Sequence, residues 1–295
     1  MDLLEVIQSH VLLSSVAFLV VTFFTLRFIR DSFKVDQLYR RHVLITGCDS
    51  GFGNLLARQL DAKGVPVIAG CLTEKGAEDL SASTSSRLKT VLLNVTDGVS
   101  IKKAVEFVRA EVGQRGLWGL VNNAGISIPI VSATLKKGKG RVVNVASILG
   151  RLSLTGGGYC ISKYGVEAFS DSLRMNMEPF GLKVSIIEPG FFKTAVTNPK
   201  MIENDLERLW TRLPQNSRTP MAQHTKAQNF SLGILCSADL SKVTKCMEHA
   251  LTAYYPRTRY GAGWDAKFFW IPLSYLPSFV SDFVVKILLP TPKSP

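Results

Sequence analysis

Apolar positions along this chain change their period from one segment to the next. From Ile7 to Leu26 no residue carries a formal charge, and Val11 to Leu26 is almost wholly apolar. About twenty helical residues cross 30 Å of hydrocarbon, so the run predicts a membrane helix. Asp2 and Glu5 precede it, and Arg27, Arg30, Lys34, Arg40 and Arg41 follow. A cleaved signal peptide would have a basic start and a small-residue cleavage site, and neither is present. The basic flank puts the following domain in the cytosol. A buried core helix is the alternative. Beyond this run, His42 to Thr46, Val65 to Cys71, Val91 to Val95 and Leu117 to Val121 read as apolar strands. A helix from about Asn54 to Lys63 is closed by Gly64. Ile101, Ala104, Val105, Val108 and Val112 stand at helical spacing. Apolar strands alternating with helices predict an α/β fold, a parallel sheet covered on both faces.

The end from Phe268 to Leu289 is again rich in aromatic and aliphatic residues. Pro272, Pro277, Asp282 and Lys286 interrupt it and argue against a second span. It reads either as a segment in the membrane interface or as packing on the domain.

Composition narrows the classes. The chain has 295 residues, 46% of them hydrophobic, which suits one α/β domain of about 250 residues plus a membrane segment. Net charge is +12. That excess suits an anionic membrane surface as well as nucleic acid. The dense basic run Lys136-Lys137-Gly138-Lys139-Gly140-Arg141 reads as a solvated loop before a strand, so no nucleic-acid partner is expected. Cys48, Cys71, Cys160, Cys236 and Cys246 are odd in number and show no C-x-x-C pairing, which disfavours a disulfide framework or zinc site. His10, His42, His224 and His249 are dispersed, and no metal centre is expected.

The candidate chemistry centres on Tyr159 and Lys163, four residues apart and therefore on one helix face. An ammonium beside a phenol favours the phenolate, so Lys163 is expected to lower the Tyr159 pKa and make it an acid or base. Ser147 ends the apolar run Val142 to Ala146, where its hydroxyl could hold a substrate oxygen against the Tyr. Upstream, Thr46-Gly47-Cys48-Asp49-Ser50-Gly51-Phe52-Gly53 follows a strand and opens a helix. Gly47 permits a tight turn. Gly51 and Gly53 let backbone approach a pyrophosphate and let the helix pack on the sheet, with the helix N-terminus facing the phosphates.

These motifs, with Asn122-Asn123-Ala124-Gly125 between them, resemble the short-chain dehydrogenase/reductase family. The strings from Ile45 to Leu56, Gly158 to Glu167 and Tyr260 to Lys267 are similar to its microsomal retinol and hydroxysteroid dehydrogenases. The resemblance implies a Rossmann-like, doubly wound parallel sheet and a nicotinamide dinucleotide. It implies cofactor contacts from Gly47, Asp49, Ser50, Gly51, Phe52 and Gly53. Asn94 and Val95 would lie at the adenine, and Asn122, Ala124 and Gly125 would line the cofactor. Pro189, Gly190 and Thr194 would meet the nicotinamide end, and Lys163 would hold its ribose. At the end of the second strand stand Cys71 and Leu72, with neither an acid nor a base for a 2′-phosphate. The missing base and the family branch favour NAD over NADP.

The chain departs from the family between Gly125 and Arg141, where 15 residues remain. The family places there a long helix that supplies a catalytic Asn, and Ile126 to Gly140 contains none. A crossover of about 10–12 residues still joins parallel strands. The lost helix is expected to uncover an apolar sheet face and weaken any homo-oligomer. Residues from about 211 to 237 also match the family poorly. The expected organisation is an anchor over residues 1–30, a dinucleotide-binding catalytic domain over 38–265 shortened at 126–140, and an apolar membrane-associated tail over 266–295. The expected function is NAD-dependent oxidation of retinol or a 3α/17β-hydroxysteroid at the endoplasmic reticulum membrane, with the ketone or aldehyde as product. The alternative is a catalytically impaired membrane protein that binds nucleotide weakly or acts through protein contacts. Asn229-Phe230-Ser231 is a glycosylation sequon that would report a lumenal domain.

Overall fold

In the computed structural model, residues 3–124, 140–154, 158–194, 197 and 236–288 are described. Seven strands form one sheet: β1 (Val43–Thr46), β2 (Val67–Cys71), β3 (Lys89–Leu92), β4 (Gly119–Asn122), β5 (Arg141–Val145), β6 (Lys183–Pro189) and β7 (Arg259–Ala262). Their order is β3-β2-β1-β4-β5-β6-β7, and every pair is parallel. The order reverses between β1 and β4, which opens a crevice at the carboxyl ends of the strands.

The helices are α1 (Leu3–Ser32), α2 (Gly51–Ala62), α3 (Glu74–Ala82), α4 (Gly98–Val112), α5 (Gly158–Met177), α6 (Ser241–Thr252) and α7 (Ser278–Leu288). Strand side chains alternate between faces. On one face Ile45, Val121, Val143 and Ile187 pack with Leu56 and Leu60 of α2 and Met247 of α6. On the other, Leu44, Ile68, Leu120, Val142 and Val184 pack with Val108 and Val112 of α4 and with Leu173 and Met177 of α5. The sheet is covered by helices on both faces, as its continuous apolar strands require.

Three expectations need correction here. The sheet face beside β4 and β5 is not uncovered: Leu120 and Val142 are 1% and 0% exposed. Helices α4 and α5 already close it. Exposed apolar surface falls instead on α5, at Ile161, Tyr164 and Met175. The third strand ends at Leu92 rather than Val95, because Asn94 starts a turn. Its Oδ1 accepts from Thr96 N and Oγ1 at 3.0 and 2.7 Å. Arg141 is likewise not part of a solvated loop. It sits in β5, 6% exposed, with its guanidinium 4.9 Å from the Trp118 ring centroid. Burial pushes its pKa down to about 10, with Arg41 adding to the effect.

Helix α1 carries a stretch, Leu13–Ser32, long and apolar enough to cross a membrane, and none of it is buried. Its foot is joined to the domain. Val35 N donates to Thr252 O at 2.8 Å, Tyr254 N donates to Phe33 O at 2.9 Å, and Asp31 pairs with Arg257. The C-terminal segment packs on the domain along one side. A π-helical turn Ala266–Trp270 and the turn Ile271–Leu273 bury Ala266, Trp270 and Leu273 against Ile148. Phe268, Phe279, Phe283 and Ile287 face outward.

Candidate active site

The carboxyl ends of the parallel strands bring the candidate residues together. Between β1 and α2, Gly47 (φ +72°) and Gly51 (φ +65°) adopt left-handed backbone. A Cβ on Gly53 would stand 2.3 Å from the Gly47 carbonyl oxygen, so α2 packs this closely on the turn only with glycine there. A Cβ on Gly51 would meet nothing within 4 Å. Ser50 is the N-cap of α2 without a capping side-chain bond. The turn therefore offers backbone N–H groups at a helix N-terminus with no side chain in the way. That arrangement fits the pyrophosphate of a dinucleotide. Phe52 packs edge-on against Phe192, with centroids 5.7 Å apart.

Two residues outside the expected set hold this turn in place. Asn123 Nδ2 donates to the carbonyls of Thr46 and Gly47 at 3.0 and 3.1 Å. Thr46 Oγ1 accepts from Asn123 N at 3.1 Å and from Ala124 N at 3.0 Å. Both residues stand inside the quoted motifs, but what they bond is a contact across 76 to 78 positions of chain. Asn122 instead donates to Asn144 Oδ1 at 2.8 Å, and Asn144 donates to Ser170 Oγ at 2.8 Å, forming a buried polar chain. Gly125 lies outside the described residues.

Asp49 turns away from α2 toward the end of β2. Its carboxylate accepts from Leu72 N at 2.7 Å, Thr73 N at 2.9 Å and Thr73 Oγ1 at 2.7 Å. Burial pushes the carboxyl up, and these hydrogen bonds outweigh it, holding Asp49 below the usual carboxylate range. Asn94 and Val95 are half-buried just past β3. Pro189 ends β6, and Gly190 N donates to Ala262 O at 2.9 Å. A Cβ on Gly190 would fall 2.1 Å from Asp265 Oδ2. Thr194 N donates to Thr197 Oγ1 at 2.9 Å.

Ser147, Tyr159 and Lys163 converge beyond β5. Ser147 caps a short 3-10 turn, Ile148–Gly150, accepting from Leu149 N at 3.2 Å. Tyr159 lies in the first turn of α5 and Lys163 one turn on. Lys163 is 5% exposed, its Nζ donating to Val145 O at 3.0 Å and lying 5.6 Å from the Tyr159 ring centroid. Burial pushes its pKa down to about 8, against the pull of Glu167.

The phenol does not shift in the expected direction. Burial raises the Tyr159 pKa, and the hydrogen bond with Ser147 only partly offsets this. The Lys163 ammonium bonds the Val145 carbonyl and lies over the ring, and burial of the phenol sets the direction of its shift. Beside Ser147, an apolar cluster of Ile148, Leu149, Leu152, Leu154, Phe191 and Trp270 gathers around the C-terminal turns. Among the described residues no group of His, Cys, Asp and Glu could hold a metal ion.

A parallel sheet in this order, a Gly-rich turn fit for pyrophosphate, a Ser just past β5 and a Tyr and a Lys one turn apart on α5 define an oxidoreductase class. The short chain dehydrogenase family matches residues 41–136 and 127–205, and the chain belongs to that family. Its cofactor is a nicotinamide dinucleotide. The two matched pieces overlap in the connection where the chain is short. Retinol dehydrogenase 7 of Rattus norvegicus is 53% identical over 293 residues, covering 88% of this chain and 92% of the relative. The 17-beta-hydroxysteroid dehydrogenase type 6 of Homo sapiens is 48% identical over 302 residues, covering 92% and 95%. Among solved structures, a short-chain dehydrogenase from Streptomyces avermitilis is similar with a TM-score of 0.57 and 26% identity, covering 79% of this chain and 92% of that one.

Proposed function

We propose that the chain oxidises the hydroxyl of a lipophilic alcohol, a retinol or a 3α- or 17β-hydroxysteroid, with NAD as the oxidant. The convergence of Ser147, Tyr159 and Lys163 beside the apolar cluster around Trp270 carries this reading. The related retinol and 17-beta-hydroxysteroid dehydrogenases support the substrate class. Ser147 orients the substrate oxygen. Tyr159 takes the hydroxyl proton during oxidation and returns it during reduction of the ketone or aldehyde. Lys163 holds the nicotinamide ribose. The bound dinucleotide supplies the hydride acceptor. The apolar cluster takes the lipophilic body of the substrate and keeps water from the reacting carbon. Gly47, Ser50, Gly51 and Gly53 hold the pyrophosphate. Asn94 and Val95 meet the adenine, and Pro189, Gly190 and Thr194 the nicotinamide end.

The exposed α1 anchors the chain in the endoplasmic reticulum membrane, with the domain over residues 38–265 in the cytosol and the tail 266–295 against the membrane. Substrates dissolved in lipid reach such a site without crossing water. The exposed apolar stripe of α5, Ile161, Tyr164 and Met175, suits a second copy of the chain.

One observation favours a second reading, a protein that binds nucleotide but turns over poorly: residues 126–140 contain no Asn to complete a proton relay. A single assay separates the two. Purified, detergent-solubilised chain is given NAD with retinol, or with a 3α- or 17β-hydroxysteroid, and NADH formation is followed. Turnover supports the dehydrogenase. Dinucleotide binding without turnover on any of these alcohols selects the second reading.

A further inference from the structure

We propose that Asp49, reaching from the Gly-rich turn, is the residue that selects NAD against NADP: its carboxylate occupies the donors a 2′-phosphate would use. The inference rests on the dinucleotide reading above.

In βαβ dinucleotide sites an acidic residue about 20 positions after the glycines, at the end of the second strand, accepts a hydrogen bond from the adenosine ribose 2′-hydroxyl. Here Cys71, Leu72 and Thr73 stand at that end, and none is acidic. Asp49 fills the gap from elsewhere in sequence. It crosses from the turn to accept from Leu72 N, Thr73 N and Thr73 Oγ1. Thr73 is the N-cap of α3, a nine-residue helix, so the carboxylate sits where a helix N-terminus favours an anion.

The cradle is shaped for that carboxylate. A Cβ on Gly76, in the first turn of α3, would lie 2.5 Å from Asp49 Oδ1. Only glycine at position 76 leaves the carboxyl group its place.

Two consequences follow for a ribose at this strand end. The Leu72 and Thr73 amides, the Thr73 hydroxyl and the backbone N–H of Asp49 itself hold the carboxylate, so a 2′-hydroxyl would donate to an oxygen that one of them already uses, which a half-buried carboxylate can share. A 2′-phosphate has no donor to offer. It would find the two amides and the Thr73 hydroxyl already taken, and would meet a fixed negative charge at contact distance. Removing the Asp49 charge therefore frees the two amides and the Thr73 hydroxyl at the N-terminus of α3 for an anion.

The test measures binding by calorimetry on the full chain in detergent, with NAD and NADP as titrants. A thermal-shift series with adenosine 5′-monophosphate and adenosine 2′,5′-bisphosphate isolates the 2′ position. Wild type is expected to bind NAD at least ten-fold more tightly than NADP. Asp49→Ser should shift that ratio at least ten-fold toward NADP, mainly by tighter NADP binding. Asp49→Asn keeps the shape and removes the charge, and should shift it the same way. Gly76→Ala, which displaces the carboxylate without deleting it, should also move the ratio toward NADP and carries the test if Asp49→Ser fails to fold. A ratio unchanged in Asp49→Asn and Gly76→Ala, with NAD still bound, overturns the role of Asp49 and leaves the dinucleotide reading intact. A wild-type chain that binds neither dinucleotide nor either adenosine phosphate overturns both.

Discussion

At the scale of single residues, the acid/base assignment rests on one hydroxyl. Tyr159→Phe removes it and leaves the ring that Lys163 faces. The variant is expected to lose dehydrogenase turnover by at least a hundred-fold while its dinucleotide affinity, read by calorimetry, stays within about two-fold of wild type. Wild-type turnover in the variant would remove Tyr159 from the chemistry. Asn123 plays a different part. Its amide nitrogen serves two carbonyls at the mouth of the Gly-rich turn. Asn123→Ala leaves both without that donor and is expected to cost about 1–3 kcal/mol of stability. Chemical denaturation should show it as a lower midpoint with an unchanged slope. Dinucleotide affinity should fall with it, because the turn is then free to shift. An unchanged midpoint would mean that the turn is held by Thr46 together with Asn54, whose Nδ2 donates to Cys48 O at 2.9 Å.

Among the elements, α1 and α7 present the largest exposed apolar surfaces. Val11, Leu13, Phe18, Leu19 and Phe28 of α1 are all more than half exposed, and so are Phe279, Phe283 and Ile287 of α7. Such surface is costly in water and stable in lipid. Removing residues 1–30 is expected to convert an integral protein into a peripheral one. The truncated chain should still sediment with microsomes at neutral pH through α7, and alkaline carbonate should release it. Adding Phe279→Asp and Phe283→Asp should make it soluble without carbonate. Release of the truncated chain at neutral pH with α7 intact would show that this helix does not bind the membrane.

For the whole molecule, two features couple distant parts. Glu167 of α5 lies under the sheet edge with Arg259, Asp171, Glu188 and Arg151 around it. Burial first, and then the charge of Glu188, push its pKa up to about 7. A carboxyl raised in the folded state binds its proton more tightly there than in the unfolded chain. Its contribution to stability is complete below the unfolded value near 4.5 and is lost as pH rises through about 7. Stability should therefore decline on the order of 1–3 kcal/mol from pH 5 to pH 8 through this group. Glu167→Gln should flatten that decline in thermal melts taken across the range. An equal decline in the variant would place its source in another group.

The short connection is the second feature. Because α4 and α5 already bury Leu120 and Val142, the family's full segment inserted after Ile130 should leave the thermal midpoint within a few degrees. It should raise kcat by ten-fold or more, through the Asn it restores. Equal kcat values would mean that the relay is complete without it.

The period of the apolar positions, together with motifs a few residues long, determined much of this protein. Strands that must be buried on both faces have to be apolar throughout, so β1, β2 and β4 were legible from composition alone. A tight turn needs Gly47, and an i, i+4 pair needs a helix, so the turn and the Tyr159–Lys163 face were legible too. Other outcomes depended on distance in space between residues far apart in the chain. That Arg141, at the end of a basic run, is buried follows from Trp118 lying against it. The sheet stays closed because two helices meet over it, which no local pattern records. The Tyr159 pKa goes up rather than down because the fold buries the phenol, and the Ser147 hydrogen bond, 12 positions away in the chain, only partly offsets that. Asp49 reads locally as one more polar residue of a Gly-rich turn. Its partners are 23 and 24 positions away, at the end of the neighbouring strand. Local sequence sets which conformations a segment can adopt, whereas hydrogen bonds and charges act across space, so what each polar group does was decided only when the sheet brought the strand ends together.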